Sequence, residues 1–296
     1  GMQQTEQGWR GTFYADGRRI VVDPTTQVLF KLNKSEKKQE EKKKEKKKGG
    51  EEDEDNADFQ PLKSLAEISP GTIMSYEGSV DASGAVRAER VEFMGNELEK
   101  GEANMWKSLK VKEKTPQFEQ FRPGELKIER VGKFKLLPSR EVQEYVTKLG
   151  SKLIPAYQRD LPATDPAKIP FRFYVISEKH PNAFALANGV IVIHSSMIEM
   201  LENEAQLAAV VGHEIAHSMQ EHTWRQMQYH RKKLMAMRIG GIAAAAFGMG
   251  GVSDILKLIE AAIRNGYARS LENQADRIGL EYMIAAGYDP REAPRV

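Results

Sequence analysis

The chain of 296 residues contains no cysteine, which removes a disulfide framework and thiolate metal ligands together, so any bound metal must be held by histidine and carboxylate groups. The formal net charge is only +2 and singles out no class of partner. An unbroken apolar run long enough to span a bilayer, roughly 20 residues, is also missing. The nearest approach, 234–251, is interrupted by Arg238 and diluted by five glycines. It reads as a buried or mobile helix pair, although a peripheral contact with lipid stays open. Apolar residues are absent from position 34 until Ala57, where a lysine-rich block runs through Gly49-Gly50 into an acidic block. Such a segment cannot bury enough surface to offset chain entropy and is expected to be a disordered insertion at 34–58. The acidic residues would compete for the lysines and no aromatics interleave, so nucleic acid is not expected as a partner.

What the chain does have is 40% hydrophobic residues, enough for a core and one or two domains. Its first third carries strand signals at 11–15, 18–23, 27–32, 72–80 and 85–93. Asp16-Gly17 and Asp81-Ala82-Ser83-Gly84 serve as turns. These predict a small antiparallel β-barrel-like module over 1–95, more a packing appendage than a substrate-binding unit. A charged linker follows over 96–138. Ser139 then caps a helix to about 156, with strands at 171–176 and 189–194. The overall class is α+β, the second domain (139–296) being mostly helical with a small sheet. Gly1 before Met2 reads as an expression scar, and an original targeting segment would precede it. The turn Tyr288-Asp289-Pro290 reads as the start of a helix that continues past Val296.

The most informative run is His213-Glu214-Ile215-Ala216-His217. Apolar residues recur at helical spacing around it, Asn203 offers an N-cap and Gln206 a partial capping box. Residues four apart share a helix face, so His213 and His217 can present ring nitrogens to one ion with Glu214 beside the open position. Ala208, Ala209, Gly212 and Ala216 are small enough to admit close neighbours. A catalytic zinc usually has three protein ligands and a water, so a third ligand is required. The pattern HExxHxxGxxH fails, with Gln220 at the glycine position and Thr223 at the last histidine. His222 lies about 140° around a continuous helix from His217 and cannot face the same ion unless the helix breaks. Glu272 and Asp276 are four apart on a downstream helix. One of them can bind zinc while the other accepts a hydrogen bond from the far nitrogen of a ligand histidine.

Asn182-Ala183-Phe184-Ala185-Leu186, Gly189-Val190-Ile191-Val192, the HExxH helix, His222 and the run from Tyr267 to Asp276 resemble the HtpX-like and CAAX-prenyl-protease-like gluzincin metallopeptidases, especially soluble bacterial members. The resemblance covers about 139 to the end. It implies one zinc ion per chain on His213, His217 and Glu272, with Glu214 as general base toward a zinc-activated water and Asp276 hydrogen-bonded behind a ligand histidine. It also implies that Asn182, Ala183 and Phe184 lie on a strand edge that pairs with an extended polypeptide substrate. Ala268 stands where the family often has serine, and Leu186-Ala187-Asn188-Gly189 where a proline and paired glycines are usual. Tyr267, Arg269 and His222 are candidates for donating to the developing oxyanion, and each could instead be a packing or salt-bridge residue. The expected activity is endopeptidase cleavage of extended or misfolded polypeptides, the alternative being a non-hydrolytic, metal-containing binding or chaperone-like protein. The resemblance suggests the bacterial cell envelope or periplasm as the setting, with the cytoplasm as the alternative. Oligomeric state is not legible.

Overall fold

The computed structural model describes residues 2–31, 59–65, 68, 72–94, 119–128, 132–165, 167–226 and 266–295. The charged insertion at 34–58 and the apolar stretch 234–251 lie outside the described residues. The chain is α+β and divides into two compact units, 1–100 and 101–296. Among the described residues no helix is long and apolar enough to cross a membrane.

The first unit is a curled seven-stranded sheet: β1 (Met2–Thr5), β2 (Gly8–Ala15), β3 (Arg18–Val22), β4 (Gln27–Lys31), β5 (Phe59–Pro61), β6 (Ile73–Val80) and β7 (Val86–Met94). The β2–β3 hairpin closes through Asp16 and Gly17, both at positive φ (55° and 77°), the conformation a two-residue hairpin of matching twist demands. In the β6–β7 turn the Asp81 carboxylate accepts from the Ser83 and Ala85 amides. The antiparallel expectation is corrected at the centre. β3 and β4 both run parallel to β7, one after the other along one side, while β6 lines the other side antiparallel. Parallel partners need a long connection, and the segment between β4 and β7 supplies one. Among the described residues β1, β5 and β6 each pair with a strand on one side only, and the sheet is curled. Ile20, Val22, Val28, Val86, Val91 and Trp9 form its core.

The second unit begins within the stretch expected to be a linker. There β8 (Glu119–Arg122), β9 (Glu125–Ile128) and β10 (Gly132–Lys135) form an antiparallel meander with Leu126 and Ile128 fully buried. Helix α1 (Arg140–Leu153) follows, capped by the Ser139 hydroxyl, which accepts from the Val142 amide. It buries Val146, Leu149, Gly150 and Leu153 at helical spacing. After the short α2 (Ala156–Arg159) comes a three-stranded sheet in the order β11 (Arg172–Ile176), β13 (Val190–His194), β12 (Ala183–Ala185), with β11 parallel and β12 antiparallel to β13.

The two edges of this sheet differ. On the outer edge of β11, Val175 receives the Leu137 amide (2.9 Å) and is clamped on both backbone groups by the Gln143 side chain (2.7 and 3.0 Å). Ser177 donates to the Lys135 carbonyl (2.7 Å). β12 has no strand on its outer side among the described residues. Its inward bonds run from His194 N–H to the Asn182 carbonyl and from Leu186 N–H to the Val190 carbonyl. By antiparallel alternation, Ala183 and Ala185 therefore turn their backbone groups away from the sheet.

Among the described residues the unit continues with α3 (Ser195–Met200), α4 (Glu204–Met219), a helical turn at 222–226, α5 (Arg269–Ala285) and a 3₁₀ turn at Pro290–Arg295. Asn203 caps α4 as expected, its side-chain oxygen accepting from Gln206 N–H at 3.0 Å, while Gln206 reaches back to the Glu202 amide at 2.9 Å. Val211, Ile215, Ala208 and Ala216 of α4 pack with Val175, Ile191 and Ile193 of the sheet and with Ala275 and Ile278 of α5 in a single core.

Candidate metal centre

Helices α4 and α5 meet backbone to backbone. A Cβ on Gly279 would lie 2.7 Å from the His213 nitrogen and 2.9 Å from both Gly212 C and His213 Cα, and one on Gly212 would lie 2.9 Å from the Gly279 carbonyl oxygen. Only glycine at both positions allows this approach, and it lets the short side chain of Glu272 reach the histidines across the gap. Gly279 is seven residues past Glu272 on the same helical face, so its spacing held the signal.

His213 Nε2 and His217 Nε2 are 2.9 Å apart, and Glu272 Oε2 lies 3.3 Å from the first and 3.5 Å from the second. Metal bonds of about 2.0–2.1 Å in a tetrahedron put neighbouring donor atoms about 3.3 Å apart. The three observed edges bracket that length, and a metal ion fits the donors as they stand. Among the described residues this is the one cluster of three or more such groups placed to share an ion. His222 is not in it.

Each donor is held from behind. Glu272, in the first turn of α5, divides its oxygens: Oε1 accepts from the Tyr267 amide at 2.6 Å, leaving Oε2 to the histidines. Burial opposes its charge, but the two imidazoles and the Tyr267 amide outweigh burial and hold this carboxyl well below the usual range. Asp276 Oδ1 accepts from His213 Nδ1 at 2.8 Å. Burial alone would lower the His213 imidazole, yet Glu272, Glu214 and Asp276 raise it to about 9. The His217 ring stacks on Tyr267 (centroids 4.4 Å, planes 21° apart), whose hydroxyl is hydrogen-bonded to Thr223 at 2.9 Å.

His222 illustrates where helical-wheel reasoning stops. α4 ends at Met219, and Glu221 adopts φ 53°, so His222 starts a new helical turn at 222–226. The break swings it back against His217, Nδ1 to Nδ1 at 2.8 Å, on the side away from Glu272. Its Nε2 meets Gln274 Oε1 at 3.0 Å. With both ring nitrogens engaged inside the protein, His222 has none to offer an oxyanion. Burial and the neighbouring His217 lower its pKa to about 3, so the ring stays neutral. Arg269 is exposed at the first position of α5. Ala268 is the N-cap of that helix and gives it no side-chain cap bond.

Glu214 is 8% exposed, raised from the usual carboxylate range chiefly by burial, and accepts a hydrogen bond from the Ala185 amide. The HExxH carboxylate therefore touches the open edge of β12. Of the three strand residues expected to meet substrate, only Ala183 turns its backbone outward. The Asn182 carbonyl is taken by His194, and Phe184 is buried with its ring near Phe134 and His194. Gln274, Arg225 and Gly279 were not singled out from sequence, and Thr223 entered only as the residue that breaks the HExxHxxGxxH pattern. Gln274 is two residues past Glu272, a spacing that places it on another helix face and gives no warning of its contact.

Residues 141–296 match the family model of peptidase family M48. The chain is 30% identical over 158 residues to the beta-barrel assembly-enhancing protease of Yersinia pestis, a match covering 51% of this chain and 31% of that protein. The figures are the same for the protein of that name from Escherichia coli. It is 32% identical over 129 residues to the mitochondrial metalloendopeptidase OMA1 of Arabidopsis thaliana, covering 43% of this chain and 25% of that one. The chain thus spans about a third of the length of the bacterial relatives it matches.

Proposed function

The chain belongs to peptidase family M48, and from that premise we propose that it is a zinc-dependent endopeptidase acting on extended or misfolded polypeptide. The observation that carries the reading is Glu214, a buried carboxylate set between the three-donor cluster and the open strand edge. A structural zinc would ask for four protein donors and no base. Here His213, His217 and Glu272 would hold the ion. Zinc bound there would polarise the scissile carbonyl and make water acidic enough to attack near neutral pH.

The chain's own residues supply the rest. Glu214 takes the proton from the attacking water, and burial, by favouring its neutral form, lets it keep that proton until the leaving amine needs it. The outward carbonyls of Ala183 and Ala185 and the Ala183 amide offer an extended substrate a strand partner, while the Ala185 amide keeps Glu214 in place. Tyr267 and Arg269, flanking the start of α5, are our candidates for meeting the oxyanion, and His222 passes from that role to holding His217. The bacterial relatives are named for β-barrel assembly. On that likeness we place this chain in the bacterial cell envelope, with incompletely folded polypeptides as substrates and peripheral lipid contact open.

The test is casein digestion by zinc-loaded protein beside Glu214→Gln. The wild type should cleave, and the variant should keep its zinc and lose at least ~10²-fold in rate. Equal rates would remove hydrolysis from the account and leave metal-dependent binding.

A further inference from the structure

Behind His217, away from the cluster, three side chains continue in single file. His217 Nδ1 faces His222 Nδ1 at 2.8 Å, His222 Nε2 faces Gln274 Oε1 at 3.0 Å, and Arg225 donates from a guanidinium N–H to the same Gln274 oxygen at 2.7 Å. The order of protons along this line follows from its far end. A guanidinium carries only donors, so the Gln274 atom facing Arg225 must be its carbonyl oxygen. That oxygen accepts, so His222 Nε2 must carry the hydrogen. In a neutral His222 the other nitrogen, Nδ1, is then bare and must accept, and the proton between the two rings belongs to His217 Nδ1. The lone pair of His217 is thereby left on Nε2, the atom 2.9 Å from His213 Nε2 and 3.5 Å from Glu272.

We propose that Arg225 and Gln274 are positioning residues that act through His222 to hold His217 in the one neutral tautomer able to ligate a metal. The inference rests on the metal-binding reading of the cluster but concerns residues outside it. His222 is completely buried, so water cannot replace its partners. Asp276 does the equivalent for His213 by direct contact. The two ligand histidines are therefore oriented by different devices, a single carboxylate for one and a relay ending at an exposed arginine for the other. Removing the Gln274 acceptor frees His222 to turn its hydrogen to Nδ1, and His217 then has to place its own on Nε2, where it blocks ligation.

Two measurements on the full chain decide this. In metal-free wild-type protein, long-range proton–nitrogen correlation spectra of the histidine rings should find His217 as the Nδ1–H tautomer and His222 as the Nε2–H tautomer. The reverse assignment for either ring overturns the proposal without reference to any variant. Second, zinc dissociation constants from competition with a chromophoric chelator should rise about 10–100-fold for Gln274→Met, which fills the space but scarcely accepts. Gln274→Glu, which still accepts from both neighbours, should stay within a few-fold of wild type. A folded Gln274→Met protein, judged by circular dichroism, that binds zinc as tightly as wild type also overturns the relay. Failure of the wild type itself to bind zinc would instead remove the metal reading, and the tautomer spectra would still judge the relay.

Discussion

Replacing Gly279 by alanine puts a methyl carbon 2.7 Å from the backbone nitrogen of His213 and 2.9 Å from two further backbone carbons of α4. Comfortable carbon contacts begin near 3.5 Å, so the helices must separate by about 0.6–0.8 Å. Nothing in the contact is a side chain that could rotate aside. Overpacking of this kind costs about 1–3 kcal/mol, and alanine returns about 1 kcal/mol of helix propensity over glycine, leaving a net loss of about 0–2 kcal/mol. The effect on the site is larger than the effect on the fold. Glu272 and Asp276 ride on the displaced helix while His213 and His217 do not, and a misplacement of about 1 Å can cost on the order of 10²-fold in rate. Gly279→Ala should thus lower the melting temperature by only a few degrees while reducing zinc affinity and casein turnover by one to two orders of magnitude. Gly212→Ala, whose methyl meets a single close atom at 2.9 Å, should show the same pattern more weakly. Melting curves, chelator competition and turnover read the three quantities. An alanine variant at 279 with wild-type zinc affinity would refute the claim that this glycine contact sets the spacing of the donors.

Two further outcomes are expected. Ala268→Ser should stabilise the chain by about 1 kcal/mol, because α5 now begins without a side-chain cap, and an unchanged melting temperature would count against that local reading. In metal-free protein His213 titrates at about 9, above its ordinary 6.5. Its stabilising contribution is therefore complete below about pH 6.5 and lost as pH rises through about 9. A cation must displace that proton, so zinc affinity should climb by about tenfold per pH unit toward 9 and level off above it. A flat profile between pH 7 and 9 would contradict the assignment.

The parts of this molecule that sequence disclosed are those in which local spacing and local geometry agree. Asn203, Gln206 and the apolar repeat placed HExxH mid-helix, and α4 is a regular helix there. Asp16-Gly17 likewise announced its hairpin. What escaped depends on contacts between distant segments or on one unusual dihedral. The parallel pairing of β3 and β4 with β7 follows from a long connection whose course no local pattern encodes. The meander at 119–135 was hidden by its many charged residues, although Pro123-Gly124 and the alternating Leu126 and Ile128 carried a faint signal. The contact of His222 with His217 was not legible because the left-handed Glu221 that redirects the chain is not a glycine. Gln274 lay off the face shared by Glu272 and Asp276, and only the folded backbone brings it to His222.

The most direct measurement is zinc content and affinity of the purified chain beside Glu272→Ala. The account predicts one ion per wild-type chain and, once the acceptor from the second helix is gone, a dissociation constant weaker by at least ~10²-fold with the fold intact. Undiminished affinity in that variant, or a wild-type chain that binds no zinc, would contradict it.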